Sequence, residues 1–244
     1  MKILALDFDG VIVDSEIEGF ACMNNAYSVF NTHQPRPFKV WDIRKIPRSR
    51  DYKAFTRIKP FFSQRFGYFH IMKALEAKSR IKSQEDYDDF CKTVKPLNDF
   101  AIRFHNERKL FQKQDFCEWM KAIRPNKKVI AGIAKIAFFF DKVIIVTSNK
   151  KELISPALKK MGLSVDAIYD HYDNTDKMVL FKQLYPKNDI YFIDDSLFWM
   201  ERLKDIGVKC FLATWGYNTA GQRIEARKRG VILLREEDIA KKLK

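Results

Sequence analysis

The chain has 244 residues, and 46% of them are apolar, which is enough for one large domain or for a core with a smaller second domain. Its 45 Lys and Arg exceed its 31 Asp and Glu and give a formal charge of +14, which favours an anionic partner such as a phosphorylated small molecule, a nucleic acid or a membrane surface. No apolar stretch is long enough to cross a membrane, and the apolar run before Asp7 is too short for a signal peptide. The four cysteines form no C-x-x-C pair and are typical of reduced thiols, so we expect a cytoplasmic protein that does not act at a membrane.

Two carboxylates follow the first predicted strand. Residues 2–6 are predicted to be a short buried strand, because they are too apolar for one face to meet water. Asp7 and Asp9 come directly after it, and Gly10 can take a turn geometry that other residues resist. Strand ends in α/β sheets are where ligands and catalytic groups collect. Alone, the pair fits either the cap of an ordinary turn or a divalent-cation site in which one Asp is a nucleophile and the other an acid/base.

Helical patterns fill the stretch that follows. Ser15 and Glu18 form the capping-box pattern S-x-x-E and predict the start of a helix that passes through Phe30, and we expect Asp14 to cap this helix rather than take part in chemistry. Further helices are expected over 66–77, from Ser83 to Val94, and over 98–121. Since no part of this stretch shows a confident strand pattern, residues 15–121 are predicted to be an inserted α-helical domain.

Strand and helix patterns alternate after Pro125. The predicted strands are 142–147, 167–169, 189–193, 209–213 and a shorter 231–234. The predicted helices are 129–140, 152–161 (ended by Gly162), 177–185 and 199–206. Alternation about every 20 to 30 residues is typical of a doubly wound parallel sheet. We therefore expect an α/β fold, with a Rossmann-like core of residues 1–14 and 122–244 and a helical insert of residues 15–121.

Polar groups follow the later strands in order. Thr147 ends the second predicted strand, and the amides of Ser148 and Asn149 begin the next helix, where a hydroxyl and free N–H groups suit a phosphate. Lys177 opens a later helix and would offset nucleophile and phosphate charge. Asp194–Asp195 follow the fourth strand and offer two further oxygen ligands to a metal ion. If these strands are neighbours, the groups converge with the first carboxylate pair at one crevice.

These motifs resemble those of the haloacid dehalogenase-like hydrolases. The run Asp7-Phe8-Asp9-Gly10-Val11 with Asp14-Ser15 matches the family's first motif, Thr147 the second, Lys177 the third and Asp194-Asp195-Ser196 the fourth. The loop Thr214-Trp215-Gly216-Tyr217 resembles a tail seen in phosphoglycolate-phosphatase-like members. The chain is most similar to the branch with a helical cap inserted just after the first motif, which holds the phosphoglycolate-phosphatase-like and phosphoglucomutase-like proteins.

The resemblance implies a magnesium-dependent phosphatase that forms an aspartyl phosphate. Asp7 would attack phosphorus, and Asp9 would protonate the leaving oxygen and then activate water. Mg²⁺ would lie between Asp7, the backbone carbonyl of Asp9 and Asp195, with Asp194 close by or joined through a water. The phosphoryl oxygens would be held by Thr147 and Lys177.

Several alternatives stay open. Dehalogenating relatives lack a carboxylate at the position of Asp9, so its presence favours phosphoryl transfer. The full set of motif residues argues against an inactive relative.

Arg48 and Arg50 lie in a basic segment, residues 41–82. This segment would either bind a second anionic group of a small phosphorylated metabolite or be an ordinary solvated face. Nucleic-acid binding by this segment is a third reading, although it has no recognisable motif. A phosphomutase is the second enzyme hypothesis, and a nucleic-acid-associated or regulatory protein is the hypothesis from another class. We expect a monomer or a homodimer.

Overall fold

The structure is a computed structural model of the chain, and it describes residues 1–62, 67–95, 97, 99–170, 177–184 and 187–243. Six short apolar segments in these ranges form one parallel sheet with the order β3-β2-β1-β4-β5-β6. Within the same ranges, no helix has both the length and the apolar character that a membrane span requires. The strands are β1 Lys2–Leu6, β2 Lys142–Thr147, β3 Ala167–Asp170, β4 Asp189–Asp194, β5 Lys209–Ala213 and β6 Ile232–Leu234.

The strand order decides which side chains meet. β1 lies between β2 and β4, with Leu6 in register with Ile145 on one side and with Ile193 on the other. All three strands run in the same direction, so their carboxyl ends lie at one edge of the sheet. This edge carries Asp7, Thr147 and Asp194.

Both faces of the sheet are covered. Residues at alternate strand positions, such as Ala5, Val146 and Phe192, form one buried apolar cluster with helix residues that include Phe181 and Met200. In the central strands β1 and β2 the residues between them, such as Leu4 and Ile145, are also buried, and successive side chains of a strand point to opposite faces. A sheet of this kind with helices on both faces is a Rossmann-like α/β architecture, as the alternating pattern predicted.

The described residues contain twelve α-helices and four 3₁₀ segments. In chain order the helices are α1 Glu16–Asn31, α2 Arg50–Ile58, α3 Gly67–Glu76, α4 Gln84–Thr93, α5 Phe100–Gln114, α6 Phe116–Ala122, α7 Lys127–Ile136, α8 Lys151–Met161, α9 Lys177–Leu184, α10 Leu197–Lys204, α11 Ala220–Lys228 and α12 Ile239–Lys242. The 3₁₀ segments are Val40–Arg48, Lys59–Phe61, Ala137–Phe139 and Glu236–Asp238.

The chain divides into two compact units. The sheet unit contains Met1–Asp14 and Pro125–Lys244, and the helical unit contains Ser15–Arg124. The two connections are paired inside the sheet unit, where Val13 bridges Pro125 and the N–H of Asn126 donates to the carbonyl of Ile12 at 2.9 Å. The six helices α1 to α6 all belong to the helical unit.

A buried ion pair joins the first and fifth helices of the helical unit. The guanidinium of Arg108 donates from Nη2 to Oε2 of Glu18 at 2.6 Å and from Nε to Oε1 at 2.8 Å. The side chains of Glu18 and Arg108 are 0% and 3% exposed, so the pair is screened little by water. Trp119 adds an indole N–H to the same carboxylate at 3.1 Å. The Glu18 carboxylate therefore links α1 to α5 and α6, although their residues are far apart in the sequence.

Two expectations about local structure are wrong. Ser15 is the N-cap of α1 without a side-chain capping bond, and Glu18 faces Arg108 instead of returning to the backbone. The N-cap of α1 is Ser15 and not Asp14, and the Asp14 carboxylate accepts from the Tyr217 hydroxyl at 3.2 Å. A local cap is worth only about 1 kcal/mol, whereas the buried charge of Glu18 needs a cationic partner. Arg108 in α5 supplies that partner.

Helix boundaries differ most from the sequence pattern in two places, and the helix expected over 199–206 lies two residues earlier, at Leu197–Lys204. The helix expected over 98–121 is two helices, because the side chain of Asp115 caps a new start by accepting from the N–H of Glu118 at 3.0 Å. The helix expected over 129–140 begins earlier, after the Asn126 cap, and its α-helical part ends at Ile136. The expected helix limits at Phe66, Asn98 and Tyr185 lie outside the described residues.

Replacing Arg108 by Met should lower the free energy of unfolding by about 3–5 kcal/mol, because Glu18 would remain buried with an uncompensated charge. The double variant E18M/R108M should recover much of that loss, since two apolar side chains of similar size need no counter-charge. The matched control is K92A, which removes the exposed Lys92–Asp89 pair and should cost no more than about 1 kcal/mol. Urea unfolding followed by circular dichroism measures all three, and equal losses in R108M and K92A would contradict the assignment.

Candidate active site

Three strand ends build the site. The N–H of Asp7, the residue after β1, donates to the carbonyl of Ile193 in β4 at 2.9 Å, which fixes the backbone of Asp7 against its neighbour. Asp194 is the last residue of β4, and Thr147 is the last residue of β2. The structure therefore brings together the groups that the sequence places at separate strand ends, all of them within the sheet unit.

Lys177 joins two of the carboxylates. Its ammonium donates to Oδ2 of Asp194 at 2.6 Å and to Oδ1 of Asp7 at 3.2 Å. The Lys177 side chain is 4% exposed and its ammonium also faces the rings of Phe192 and Trp199. A lysine this deeply buried needs charged partners, and Asp194 and Asp7 supply them.

The pKa values of this group follow from burial and from neighbouring charge. Burial raises the pKa of Asp7 well above its usual value, the Lys177 ammonium lowers it, and the charges of Asp194, Asp195 and Asp9 raise it further. Burial alone would lower the pKa of Lys177, but the charges of Asp194 and Asp7 outweigh it and raise that pKa above its usual value. Lys177 is therefore cationic near neutral pH, and further positive charge near Asp7 would lower the pKa of its carboxyl.

Three carboxylates are close enough to hold one metal ion. Oxygen atoms of Asp7, Asp194 and Asp195 all lie within 4.8 Å of one another. Carboxylate oxygens are the ligands that Mg²⁺ prefers, and a divalent cation would offset the repulsion that raises the pKa of Asp7. The donor set therefore fits a hard cation. The Asp9 carboxylate is not a member of this trio, which leaves its backbone carbonyl as its candidate contribution.

Asp9 has a partner of its own in the Asn149 side chain. The amide Nδ2 of Asn149 donates to Oδ2 of Asp9, and Asn149 is buried. Sequence reasoning assigned Asn149 a backbone role at a helix N-terminus and missed this side-chain contact. The backbone N–H of Asn149 instead donates to Oγ1 of Thr147 at 3.2 Å. A hydroxyl that accepts in this way directs its own proton elsewhere, so Thr147 keeps a donor for another group.

The remaining predicted substrate residues are exposed. Ser148 lies between the buried Thr147 and Asn149 and has its side chain at the surface. Arg48 ends a 3₁₀ segment and Arg50 begins α2, both exposed and both in the helical unit. Their contact with a substrate stays a prediction.

Two glycines shape the surroundings of Asp195. Gly10 has φ of +79°, and a Cβ on it would overlap the Asp195 carboxylate and lie 2.6 Å from its Cγ. A Cβ on Gly216 would overlap Cβ of Asp195 and lie 2.6 Å from the carbonyl oxygen of Gly10. Asp195 thus fits between two backbone segments that only glycine allows to approach so closely.

The loop after β5 supplies contacts that sequence reasoning did not assign. The N–H of Tyr217 donates to Oδ2 of Asp195 at 2.6 Å, and the Asn218 amide donates to the Asp195 carbonyl at 3.2 Å. The signal in the sequence was the position of Gly216 between two aromatic residues just after a strand end. That pattern indicates a close backbone approach, but it does not say which group is approached.

Comparisons with known proteins agree on the fold. No family model matches the chain, and no curated protein matches it. Solved structures do match over nearly the whole chain: a haloacid dehalogenase-like family hydrolase from Streptococcus pneumoniae has 13% identity and a TM-score of 0.55, and covers 96% of this chain and 93% of its own. A predicted phosphoglycolate phosphatase from Haemophilus somnus has 16% identity and a TM-score of 0.57, covering 99% and 97%.

A candidate beta-phosphoglucomutase from Thermotoga maritima is similar as well, with 17% identity, a TM-score of 0.52, and coverage of 98% of this chain and 97% of its own. At such identities the likeness concerns the fold. The chain has the fold of the haloacid dehalogenase-like hydrolases, as its motifs led us to expect.

Replacing Gly10 by Ala tests the carboxylate trio as a cation site: the new methyl group would displace the Asp195 carboxylate, so any Mg²⁺ affinity of the wild type should fall by at least about tenfold. The matched control is Gly162, which ends α8 with φ of +69° and where an added methyl group would meet no atom within 4 Å. G162A should lose about 1 kcal/mol of stability from backbone strain alone and should bind Mg²⁺ as the wild type does. Titration calorimetry with Mg²⁺ and urea unfolding separate the two effects, and normal Mg²⁺ affinity in G10A would refute the assignment.

Proposed function

We propose that the chain is a phosphoric monoester hydrolase that uses Asp7 as its nucleophile. The observation that carries this proposal is the position of the Asp7 carboxylate: 3.2 Å from the Lys177 ammonium and inside the carboxylate trio with Asp194 and Asp195. A buried carboxylate among other carboxylates is costly unless it serves a cation or a reaction.

Two displacements account for the hydrolysis. In the first, a carboxylate oxygen of Asp7 bonds to phosphorus, the ester P–O bond breaks, and Asp9 gives its proton to the departing alcohol. In the second, Asp9 takes a proton from water as the water oxygen bonds to phosphorus, and the bond between phosphorus and Asp7 breaks to release phosphate. Asn149 holds the Asp9 carboxylate beside this path through its side-chain amide.

The remaining polar groups would bind the phosphoryl oxygens, Lys177 through its charge and Thr147 and Ser148 through their hydroxyl groups. Lys177 is cationic and already lies against Asp7, so its ammonium can contact a phosphoryl group bound there. Thr147 keeps a hydroxyl donor after accepting from Asn149, and Ser148 has an exposed side chain next to it. Such contacts act by position and charge, and each is worth a few kcal/mol at most.

Mg²⁺ is the cation that we propose for the carboxylate trio. Asp7 and Asp195 would ligate it directly, together with the backbone carbonyl of Asp9. Both oxygens of Asp194 already accept hydrogen bonds, from Lys177 at 2.6 Å and from the Ser196 N–H at 2.8 Å, which favours a contact through water. When bound, the ion polarises the phosphoryl group and stabilises charge in the transition state.

The substrate that we propose is a small phosphorylated metabolite in the cytoplasm. The fold relatives include a predicted phosphoglycolate phosphatase and a candidate beta-phosphoglucomutase, which supports a small phosphate ester. By its resemblance to a cap domain, the helical unit is our candidate for the part of the chain that selects the substrate, and Arg48 and Arg50 are the candidates for binding a second anionic group. A phosphomutase is the second candidate, and isomerisation of a sugar phosphate without net phosphate release would favour it.

Asp7→Asn should reduce phosphate release from a panel of phosphorylated metabolites by at least about 10³-fold, because the nucleophile is lost. Removal of Mg²⁺ by a chelator should have a comparable effect and should be reversed by added Mg²⁺. The matched control D205N changes an exposed carboxylate of the same unit and should leave the rate unchanged. If the wild type with Mg²⁺ releases phosphate neither from the metabolite panel nor from aryl phosphates, the proposal fails.

Asp9→Asn should separate the two displacements. An aryl phosphate has a leaving group that needs little protonation, so the first step should still occur, while the second step loses its base. The variant should therefore accumulate a phosphorylated Asp7, which mass spectrometry of a peptide containing residue 7 detects. The double variant D7N/D9N is the control and should show no label; a label that persists there would place the phosphoryl group on another residue.

A further inference from the structure

The loop of residues 214–218, which follows β5, contacts two functionally different parts of the sheet unit. One part is Asp195, a proposed metal ligand. The other is the segment of residues 10–14, which ends where the helical unit begins. The resemblance to a known tail motif gave this loop no role, and the proposed reaction does not use its side chains.

The loop contacts Asp195 through the backbone of Gly216 and Tyr217 and through the side chain of Asn218. The Tyr217 N–H donates to Oδ2 of Asp195 at 2.6 Å, and Gly216 lies close against the same side chain. The amide of Asn218 donates both to the Asp195 carbonyl at 3.2 Å and to the Ala213 carbonyl at 2.8 Å. Asn218 is in turn held by Arg223, whose Nε donates to its Oδ1 at 2.7 Å. These bonds tie the position of the loop to that of Asp195.

The same loop holds the segment of residues 10–14 at three points. The indole N–H of Trp215 donates to the Val11 carbonyl at 3.0 Å. Gly216 lies against the carbonyl oxygen of Gly10, and the Tyr217 hydroxyl donates to Oδ1 of Asp14 at 3.2 Å. Asp14 is the last residue of the sheet unit before the chain enters the helical unit.

Tyr217 contacts both Asp195 and Asp14. Its N–H binds the carboxylate of Asp195, and its hydroxyl binds the carboxylate of Asp14. The ring between these two groups is rigid apart from two side-chain torsions. A restraint on Asp195 is therefore passed to Asp14 through one residue, and thermodynamic linkage requires the reverse effect to be equal.

We propose that Tyr217 is a positioning residue that couples occupation of the metal site to the order of the segment through which the chain leaves the sheet unit. A cation bound by Asp195 fixes the 214–218 loop, and the Tyr217 hydroxyl then restrains Asp14 and its neighbours. This inference rests on the metal site of the proposed function. It adds a structural consequence of metal binding that does not depend on which phosphate ester is cleaved.

The two contacts of Tyr217 can be separated. In Y217F the backbone N–H still reaches Asp195, whereas the hydroxyl that donates to Asp14 is gone. In D14N an oxygen acceptor remains at the same position, so the bond to the Tyr217 hydroxyl can persist. The control Y169F removes a hydroxyl from an exposed tyrosine on β3 of the same unit.

The experiment is hydrogen exchange of the full-length protein with and without Mg²⁺, read in peptides that cover residues 11–15. In the wild type, D14N and Y169F, Mg²⁺ should slow exchange there by at least about fivefold. In Y217F that slowing should disappear, while titration calorimetry shows Mg²⁺ affinity reduced by no more than the lost coupling, about fivefold.

Two results would overturn the inference: slowing in Y217F equal to that in the wild type, or no slowing in the wild type although calorimetry shows that Mg²⁺ binds. Absence of Mg²⁺ binding to the wild type would overturn it as well, together with the proposed metal site. Phosphate release, measured separately, decides the hydrolase proposal, so failure of the coupling and failure of the proposed function give different patterns.

Discussion

The ammonium of Lys177 between Asp7 and Asp194 is the contact on which the candidate site depends. The carboxylates of Asp7, Asp9, Asp194 and Asp195 end or follow neighbouring strands, and like charges that are largely removed from water repel one another strongly. Lys177 stays cationic because the charges of Asp194 and Asp7 outweigh its own burial. The pKa of Asp7 is nevertheless raised. The lysine thus compensates part of the negative charge and leaves a remainder that a divalent cation can neutralise.

Asp194 and Asp195 are adjacent in sequence but have different partners. The side chain of Asp194 lies against Lys177, whereas that of Asp195 lies against Gly10, Gly216 and the N–H of Tyr217. Asp195 follows the last residue of β4, and its carboxylate lies within 4.8 Å of those of Asp7 and Asp194, so the two adjacent residues belong to one site although their partners differ. The first carboxylate is held by charge, and the second by backbone atoms that approach it closely.

Most of the sheet unit could be predicted from local patterns. Each strand is a short apolar run, and the order of Asp7, Thr147, Lys177 and Asp194 along the chain predicts one crevice once the strands are parallel. The convergence follows from a topological rule and needs no knowledge of side-chain packing.

The errors have a common cause. The Ser15–Glu18 pattern is a good local capping box, but Glu18 bonds to Arg108 in α5, and nothing near Glu18 in the sequence points to that partner. The contacts of Asn149 with Asp9 and of Tyr217 with Asp195 also join residues far apart in the chain. Long-range hydrogen bonds leave no periodic signal, so sequence patterns identify the elements of a site better than the contacts that orient them.

The central position of β1 has a consequence for how the protein is made. Ile3 pairs with Lys142 and Lys2 with Asp189, so both neighbours of β1 are synthesised after the whole helical unit. Strand pairings between residues so distant in sequence form slowly. Until they form, the unpaired apolar strands are prone to aggregate. The bridge between Val13 and Pro125 joins the two ends of the insert within the sheet unit. With this bridge formed, the loop that β1 must close to reach β2 no longer includes the insert and is reduced to residues 7–13 and 125–141, which contain α7 and one 3₁₀ segment.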